Sequence, residues 1–211
     1  MDTLNTIIDT KIVAIIRGAD PKDVLSIVKA LHEGGIRAVE IALNSPGALD
    51  LIKEVTGEMG ADMMVGAGTV LDPESARAAL LAGARFILSP TLNLETIKMT
   101  KRYGAVSIPG AYTPTEILQA FEAGADIIKV FPASALGPGY FKDVHGPLSQ
   151  IPLLPTGGIN LDNIRAYIEA GAVGVAVASA LVNTNEEVTD SYLHSLTEKS
   201  KQYIEKAKQA K

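Results

Sequence analysis

Cysteine is absent from the chain, which excludes disulfides, thiolate metal sites and cysteine nucleophiles. Histidine is scarce, represented by His32, His145 and His194. Their separations do not make a zinc set, and His32 and His194 fall on outer helices by pattern, so no ligand set for a metal is visible. An excess of basic residues is also missing, with 19 lysines and arginines against 24 acidic residues and a net charge of −5. Nucleic acid would call for a basic surface, so it is not an expected partner, and any anionic ligand must be held by local groups. No stretch approaches the roughly 20 apolar residues of a membrane span. Residues 1–10 carry Asp2 and Asp9 and no long apolar run, which is not the pattern of a secretory signal. The cytoplasm is the expected compartment.

What the chain does have is a repeated alternation. Within 211 residues, 47% of them hydrophobic, eight short β-rich apolar runs recur, at 11–16, 38–43, 63–67, 85–88, 105–108, 126–131, 153–155 and 173–177. Segments of helical period lie between them, among them 21–33, 73–82, 94–103, 114–123 and 160–170. Gly34, Gly83, Gly104, Gly124 and Gly171 stand where those helices would end. A weak internal repeat marks three of these junctions, Leu81-Ala82-Gly83-Ala84, Glu122-Ala123-Gly124-Ala125 and Glu169-Ala170-Gly171-Ala172. At the other ends, Asp20-Pro21, Asp72-Pro73 and Thr113-Pro114 pair a capping side chain with proline at the first helical position.

Strand starts roughly 20 to 27 residues apart, with no long linker, predict an α/β chain folded as one (β/α)8 TIM barrel domain over 1–211. An open doubly wound sheet is the alternative, but it usually stops at five or six strands. Residues 1–10 are expected to form a short N-terminal helix closing one end. The run 186–211 is helical in pattern, and a C-terminal helix is expected over 186–208, covering the last strand.

In a barrel the active site lies at the C-terminal ends of the strands. Period-two alternation puts Val13, Ile15 and Arg17 on one face of the first strand, Glu40, Ala42 and Asn44 on one face of the second, and Ile127, Lys129 and Phe131 on one face of the sixth. If these faces point inward, Arg17, Glu40, Asn44 and Lys129 converge. A lysine between Ile128 and Val130 is an unusual burial. Desolvation disfavours the ammonium, so such a lysine can be a neutral amine able to attack a carbonyl. A glutamate among Val39, Ile41 and Leu43 is an equally unusual burial, and the two explain one another as a pair. The pair is either an internal ion pair, of weak value for stability, or a Schiff-base lysine with a carboxylate that moves protons beside it. Seeing both residues together favours the second.

Gly157-Gly158 follows the seventh strand and leads to Asn160, expected to cap the next helix; Ser179 follows the eighth strand. Phosphate sites in these barrels commonly use the loops after strands seven and eight. Gly66-Ala67-Gly68-Thr69 is an incomplete dinucleotide-type glycine loop in the third unit. It reads as a tight strand exit with Thr69 as a hydroxyl donor. His145 is expected to cap a loop, and Asp62, Asp72 and Asp143 to cap or solvate.

In combination, Ala14-Ile15-Ile16-Arg17, Val39-Glu40-Ile41, Gly66-Ala67-Gly68-Thr69-Val70, Ser89-Pro90, Ile108-Pro109-Gly110, Ile128-Lys129-Val130-Phe131-Pro132 and Thr156-Gly157-Gly158-Ile159 resemble a known family over nearly the whole chain. The family is that of the 2-keto-3-deoxy-6-phosphogluconate (KDPG) and 4-hydroxy-2-oxoglutarate (KHG) aldolases. The resemblance implies a class I aldolase on a (β/α)8 barrel, usually a homotrimer, that cleaves a 2-keto-3-deoxy sugar acid phosphate to pyruvate and glyceraldehyde 3-phosphate. It implies Lys129 as the Schiff-base lysine and Glu40 as the general acid and base. Arg17 and Thr69 would hold the pyruvate carboxylate region, Pro90 and Phe131 would wall the pocket, and Gly157, Gly158 and Ser179 would meet the phosphate. No cofactor is expected, because the iminium does the polarising that a metal would otherwise do.

Two positions depart from the pattern. Many members carry arginine four residues after the glutamate, where this chain has Asn44; Leu43-Asn44-Ser45-Pro46 is similar to the 6-phosphogalactonate branch, whereas Thr156 is similar to the 6-phosphogluconate branch. Arg17 is expected to take over the carboxylate. Relatives also place glycine before the serine where this chain has Ala178, and a Cβ there would crowd a phosphate and favour a smaller substrate such as 4-hydroxy-2-oxoglutarate. Two other readings stay open: a phosphosugar isomerase or epimerase, with Glu40 as base and Lys129 only its electrostatic partner, and a catalytically silent sugar-phosphate binding protein.

Overall fold

The computed structural model describes residues 2–209; Met1 and residues 210–211, the outer ends of the two predicted terminal segments, lie outside the described residues. Short, mostly apolar runs suit parallel strands covered on both sides, and they form β1 (Ile12–Ile16), β2 (Ala38–Ala42), β3 (Met64–Gly68), β4 (Phe86–Leu88), β5 (Val106–Ile108), β6 (Gly110–Ala111), β7 (Ile128–Val130), β8 (Leu153–Pro155) and β9 (Val175–Val177). Every residue of β1, β2 and β3 is buried. The helices are α1 (Thr3–Thr10), α2 (Pro21–Glu33), α3 (Ala48–Met59), α4 (Pro73–Leu81), α5 (Leu94–Arg102), α6 (Pro114–Glu122), α7 (Gly137–His145), α8 (Ile164–Glu169) and α9 (Asp190–Gln209), with a 3-10 turn at Ala133–Ala135.

The Asp-Pro and Thr-Pro junctions start helices as expected. The Asp20 carboxylate accepts from the Lys22 backbone N–H, Asp72 from Ser75, and Thr113 forms a reciprocal capping box with Glu116. Each such cap stabilises by about 1 kcal/mol. At the other ends, Gly83, Gly104, Gly124 and Gly171 take positive φ just beyond their helices, but Gly34 stays right-handed and its neighbour Gly35, at φ 96°, makes the turn.

All pairings are parallel. Six strands run in the order β5-β4-β3-β2-β1-β9 and three in the order β6-β7-β8. The fifth predicted strand, 105–108, is β5; beyond it Pro109, which has no N–H to give a ladder, separates it from the unpredicted two-residue strand β6. The sheet curls. Asp126 N–H reaches the Ser107 carbonyl at 3.0 Å and Lys129 N–H the Pro109 carbonyl at 2.9 Å, while Thr156 bridges Ala176 in parallel.

The curl separates two apolar layers. Between sheet and helices lies the larger core, including Ile27, Leu31, Ile52, Phe141 and Tyr203. Inside the curl are Val13, Ile15, Ala38, Met64, Phe86, Leu88, Val106, Ile108, Ile127, Leu154 and Ala176, with Ile7 of α1 packed among them. The inner set alternates with the outer set along each strand, which is the period-two pattern of the sequence. The C-terminal helix begins at Asp190, not at residue 186; residues 186–189 are loop. Its N-terminal part packs on α2, where the Thr197 hydroxyl donates to the Ala30 carbonyl at 3.0 Å.

Candidate active site

Glu40 is in register with Ile15 of β1 and Gly66 of β3, and Lys129 with Gly110 of β6 and Leu154 of β8. Glu40 is 0% exposed and Lys129 2%. Two charged groups inside an apolar curl would normally be tied by hydrogen bonds. Here both Glu40 carboxylate oxygens lack any hydrogen-bond partner. A stability-giving internal ion pair needs satisfied oxygens, and no side chain or backbone group among the described residues satisfies these.

Burial pushes the Glu40 carboxyl above its usual range, with the Lys129 and Arg17 charges pulling the other way. Burial pushes the Lys129 ammonium down, Glu40 opposes it, and Arg17 lowers it further. Both shifts run toward the neutral forms, an amine that can attack a carbonyl and a carboxyl that can give as well as take a proton.

Room for Glu40 comes from a neighbouring strand. A Cβ on Gly68 would overlap the Glu40 carboxylate, and one on Gly66 would run into the Phe86 ring. Gly110 is equally constrained: a Cβ there would strike the Pro90 backbone. That contact sets Pro90 beside the residue paired with Lys129. Phe131 follows β7, and the Lys129 Nζ lies 4.8 Å from its ring centroid. Phe131 is 36% exposed while Lys129 is buried.

Arg17 lies just past the end of β1, exposed, and its Nη2 donates to the Thr69 hydroxyl at 3.4 Å. Thr69 takes φ 56°, a left-handed conformation that is an outlier for a β-branched residue and costs on the order of 1–3 kcal/mol. The strained turn puts the hydroxyl of Thr69 against the guanidinium.

Thr156 is buried at the β8–β9 bridge, and its hydroxyl has no protein partner. Gly157 and Gly158 both have positive φ, at 91° and 76°. Gly157, Gly158, Asn160, Ala178 and Ser179 line a cavity of about 120 Å³.

The structure therefore gathers Lys129, Glu40, Arg17, Thr69, Pro90 and Phe131 at one mouth, with Thr156 and the Gly157–Ser179 cavity beside it. Asn44 is not brought to the strand face. Strand β2 ends at Ala42, and Asn44 sits exposed on the turn that follows. Asn160 does not cap α8 but heads an Asx turn, accepting from the Asp162 and Asn163 N–H groups, and α8 starts only at Ile164. His145 holds the Ile151 carbonyl at 3.2 Å, tying the loop after α7, as expected of a loop cap.

Two contributors escape a reading of chemistry-bearing side chains. One is Gly68, whose signal was a glycine inside a strand, a mark of close approach. The other is Ser134, whose Cβ would lie 2.6 Å from a Cβ on Gly158 and whose N–H donates to the Gly157 carbonyl at 3.1 Å; no motif pointed to it.

Residues 4–193 match the family model described as KDPG and KHG aldolase. The chain is 38% identical over 178 residues to the 2-dehydro-3-deoxy-6-phosphogalactonate aldolase of Escherichia coli (strain K12), covering 84% of this chain and 87% of that one. Among solved structures, one described as native KDPGal superposes with a TM-score of 0.89 at 34% identity, covering 94% of this chain and 95% of the other. The KDPG aldolase from Legionella pneumophila, with pyruvate captured as a covalent carbinolamine intermediate, superposes with a TM-score of 0.85 at 26% identity, covering 96% and 98%.

Proposed function

The chain belongs to the KDPG and KHG aldolase family, and from that premise we propose how its own residues carry out a class I aldol cleavage of a 2-keto-3-deoxy sugar acid phosphate. The observation that carries the proposal is a desolvated lysine beside a fully buried carboxylate with both oxygens unpartnered.

The neutral Lys129 amine adds to the C2 ketone to give a carbinolamine, which loses water to form an iminium. Glu40, directly or through a water, takes the proton of the C4 hydroxyl. The C3–C4 bond then breaks, its electron pair moves into the iminium, and glyceraldehyde 3-phosphate leaves. The remaining enamine is protonated at C3 by Glu40, and hydrolysis of the iminium releases pyruvate and restores the amine. One carboxyl serves as base and then as acid, which suits a group held above its usual range.

Arg17 and Thr69 hold the carboxylate next to the ketone. Pro90 and Phe131 wall the pocket, and Phe131 limits water at the imine. Gly157, Gly158 and Ser179 take the phosphate through backbone N–H groups and a hydroxyl. Thr156 offers its free hydroxyl to the substrate chain, and Asn44 meets the substrate only at the rim.

The curled sheet is read as a closed eight-stranded barrel over the whole chain, β5 and β6 counting as one strand interrupted at Pro109. The hydrogen bonds from Asp126 to Ser107 and the bridge from Thr156 to Ala176 support closure. A homotrimer in the cytoplasm is the expected form; Leu71, Leu94 and Tyr112, exposed large apolar residues, are available to an interface.

The test is to supply the 6-phosphogluconate and 6-phosphogalactonate forms of the 2-keto-3-deoxy acid, and 4-hydroxy-2-oxoglutarate, and follow pyruvate. Pyruvate from a phosphorylated sugar acid is the expected result. Release only from 4-hydroxy-2-oxoglutarate would replace the phosphate assignment, and release from none would remove the proposal.

A further inference from the structure

One peptide unit at the mouth of the site is gripped at both of its polar ends. It joins Arg17 to Gly18. The Thr184 hydroxyl donates to the Arg17 carbonyl at 2.9 Å, and the Gly18 N–H donates to the Ser45 hydroxyl at 2.8 Å. The two hydroxyls come from different loops, one after β2 and one after β9, and these strands flank β1 in the sheet.

The chain on either side is anchored in the core by Ile16 and Ala19, both buried, while Gly18 between them is not packed. Gly18 has φ 70°, and a Cβ built on it would meet no atom within 4 Å. At the Arg17–Gly18 peptide itself the orientation is therefore set by hydrogen bonds and not by packing on Gly18. Both gripping residues are themselves tethered. Ser45 N–H donates to the Ala42 carbonyl at 2.9 Å, which holds it to the end of β2. Thr184 follows Asn183, whose carbonyl accepts from the Tyr192 hydroxyl of α9 at 3.2 Å and whose side chain bonds Glu186 at 2.6 Å and the Asn185 N–H at 3.2 Å.

We infer that Ser45 and Thr184 are positioning residues for substrate binding: by fixing the plane of the Arg17–Gly18 peptide between them, they aim the Arg17 guanidinium at the substrate carboxylate. This rests on the reading of Arg17 as the carboxylate anchor. A long, exposed side chain such as that of Arg17 would otherwise sample many directions, and the carboxylate would have to order it on binding. Asn44, exposed on the turn after β2, adds no second cation to share that work.

The consequence is a defined pattern in the pyruvate dependence of borohydride trapping on Lys129. Thr184→Val and Ser45→Ala should each raise the half-saturating pyruvate concentration roughly three- to tenfold, the worth of one ordinary hydrogen bond. The trapping rate at saturating pyruvate should stay at the wild-type value, and Thr184→Ser, which keeps the hydroxyl, should restore the wild-type half-saturation. In an Arg17→Ala background, Thr184→Val should add nothing, because the residue acts through Arg17.

A wild-type half-saturation in both Thr184→Val and Ser45→Ala would overturn the inference, as would a full Thr184→Val effect in the Arg17→Ala background. Thermal melting of each variant separates a general loss of folding, which would lower trapping at saturation as well. Failure of the aldolase reading is distinguishable, because it appears as no trapping in the wild type; that result removes the positioning role too.

Discussion

A Cβ on Gly68 would fall on the carboxylate of Glu40. The glycine of β3 is therefore the floor on which the buried carboxylate of β2 rests, and the two strands are in direct register, with Ala42 facing Gly68.

Gly68→Ala is expected to displace the Glu40 carboxylate and to lower kcat by about 100-fold or more, within the span that a positioned acid–base group contributes. Overpacking should also destabilise the fold by about 1–3 kcal/mol. Steady-state kinetics beside thermal melting checks both; an alanine variant with wild-type kcat would contradict the arrangement.

Glu40→Gln keeps the shape and removes the titratable proton. Cleavage should fall by roughly 10²- to 10⁴-fold. Exchange of the pyruvate methyl protons with deuterated water, which requires the enamine to be protonated and deprotonated at C3, should fall with it. Nuclear magnetic resonance of pyruvate in the presence of the variant reads this directly. Exchange at the wild-type rate would assign the proton to another group.

Arg17→Ala should raise the pyruvate Michaelis constant by roughly 10- to 100-fold, the loss of a hydrogen bond to a charged group, with little change in kcat. An unchanged Michaelis constant would move carboxylate recognition away from Arg17.

Burial lowers the Lys129 amine from its ordinary 10.5. Between the lowered value and 10.5 the unfolded chain binds more protons at this site than the folded one, so stability rises with pH across that window. The penalty of burying the lysine is full below its folded value and gone above 10.5. Lys129→Met should therefore melt higher than the wild type near neutral pH, and its margin should shrink as pH rises toward 10.5. Melting curves for both proteins across this range test the sign; a margin that grew with pH would refute it.

Ala178 lines the same cavity of about 120 Å³ as Gly157, Gly158 and Ser179. If its methyl group crowds the phosphate, Ala178→Gly should lower the Michaelis constant for the phosphorylated substrate and leave that for 4-hydroxy-2-oxoglutarate in place. Equal effects on both substrates would show that the methyl group does not touch the phosphate.

The strand that carries Lys129 and the one that carries Glu40 were readable in the sequence because each holds one charged residue in an otherwise β-branched run, and period-two alternation then assigns the face. Helix starts at Asp20, Asp72 and Thr113 were readable because the cap and the proline are adjacent in sequence. Other features depend on contacts between distant residues. Asn44 has the same parity as Glu40, but β2 ends at Ala42 and the alternation stops before it. Asn160 resembles a helix cap until the three-residue turn after it is seen. The left-handed Thr69 carries no local signal, since threonine is a poor choice for that conformation. The close approach of the Glu40 side chain to Gly68 and the grip of Ser45 and Thr184 on one peptide each join residues from separate strands or loops.

The central claim is that Lys129 is the amine that becomes covalently joined to the substrate. Incubating the protein with pyruvate and borohydride, then locating the reduced adduct by mass spectrometry of peptides, tests it most directly. One adduct per chain on Lys129, absent from Lys129→Ala, is the expected result; no adduct on the wild type, or an adduct that survives in Lys129→Ala, would contradict it.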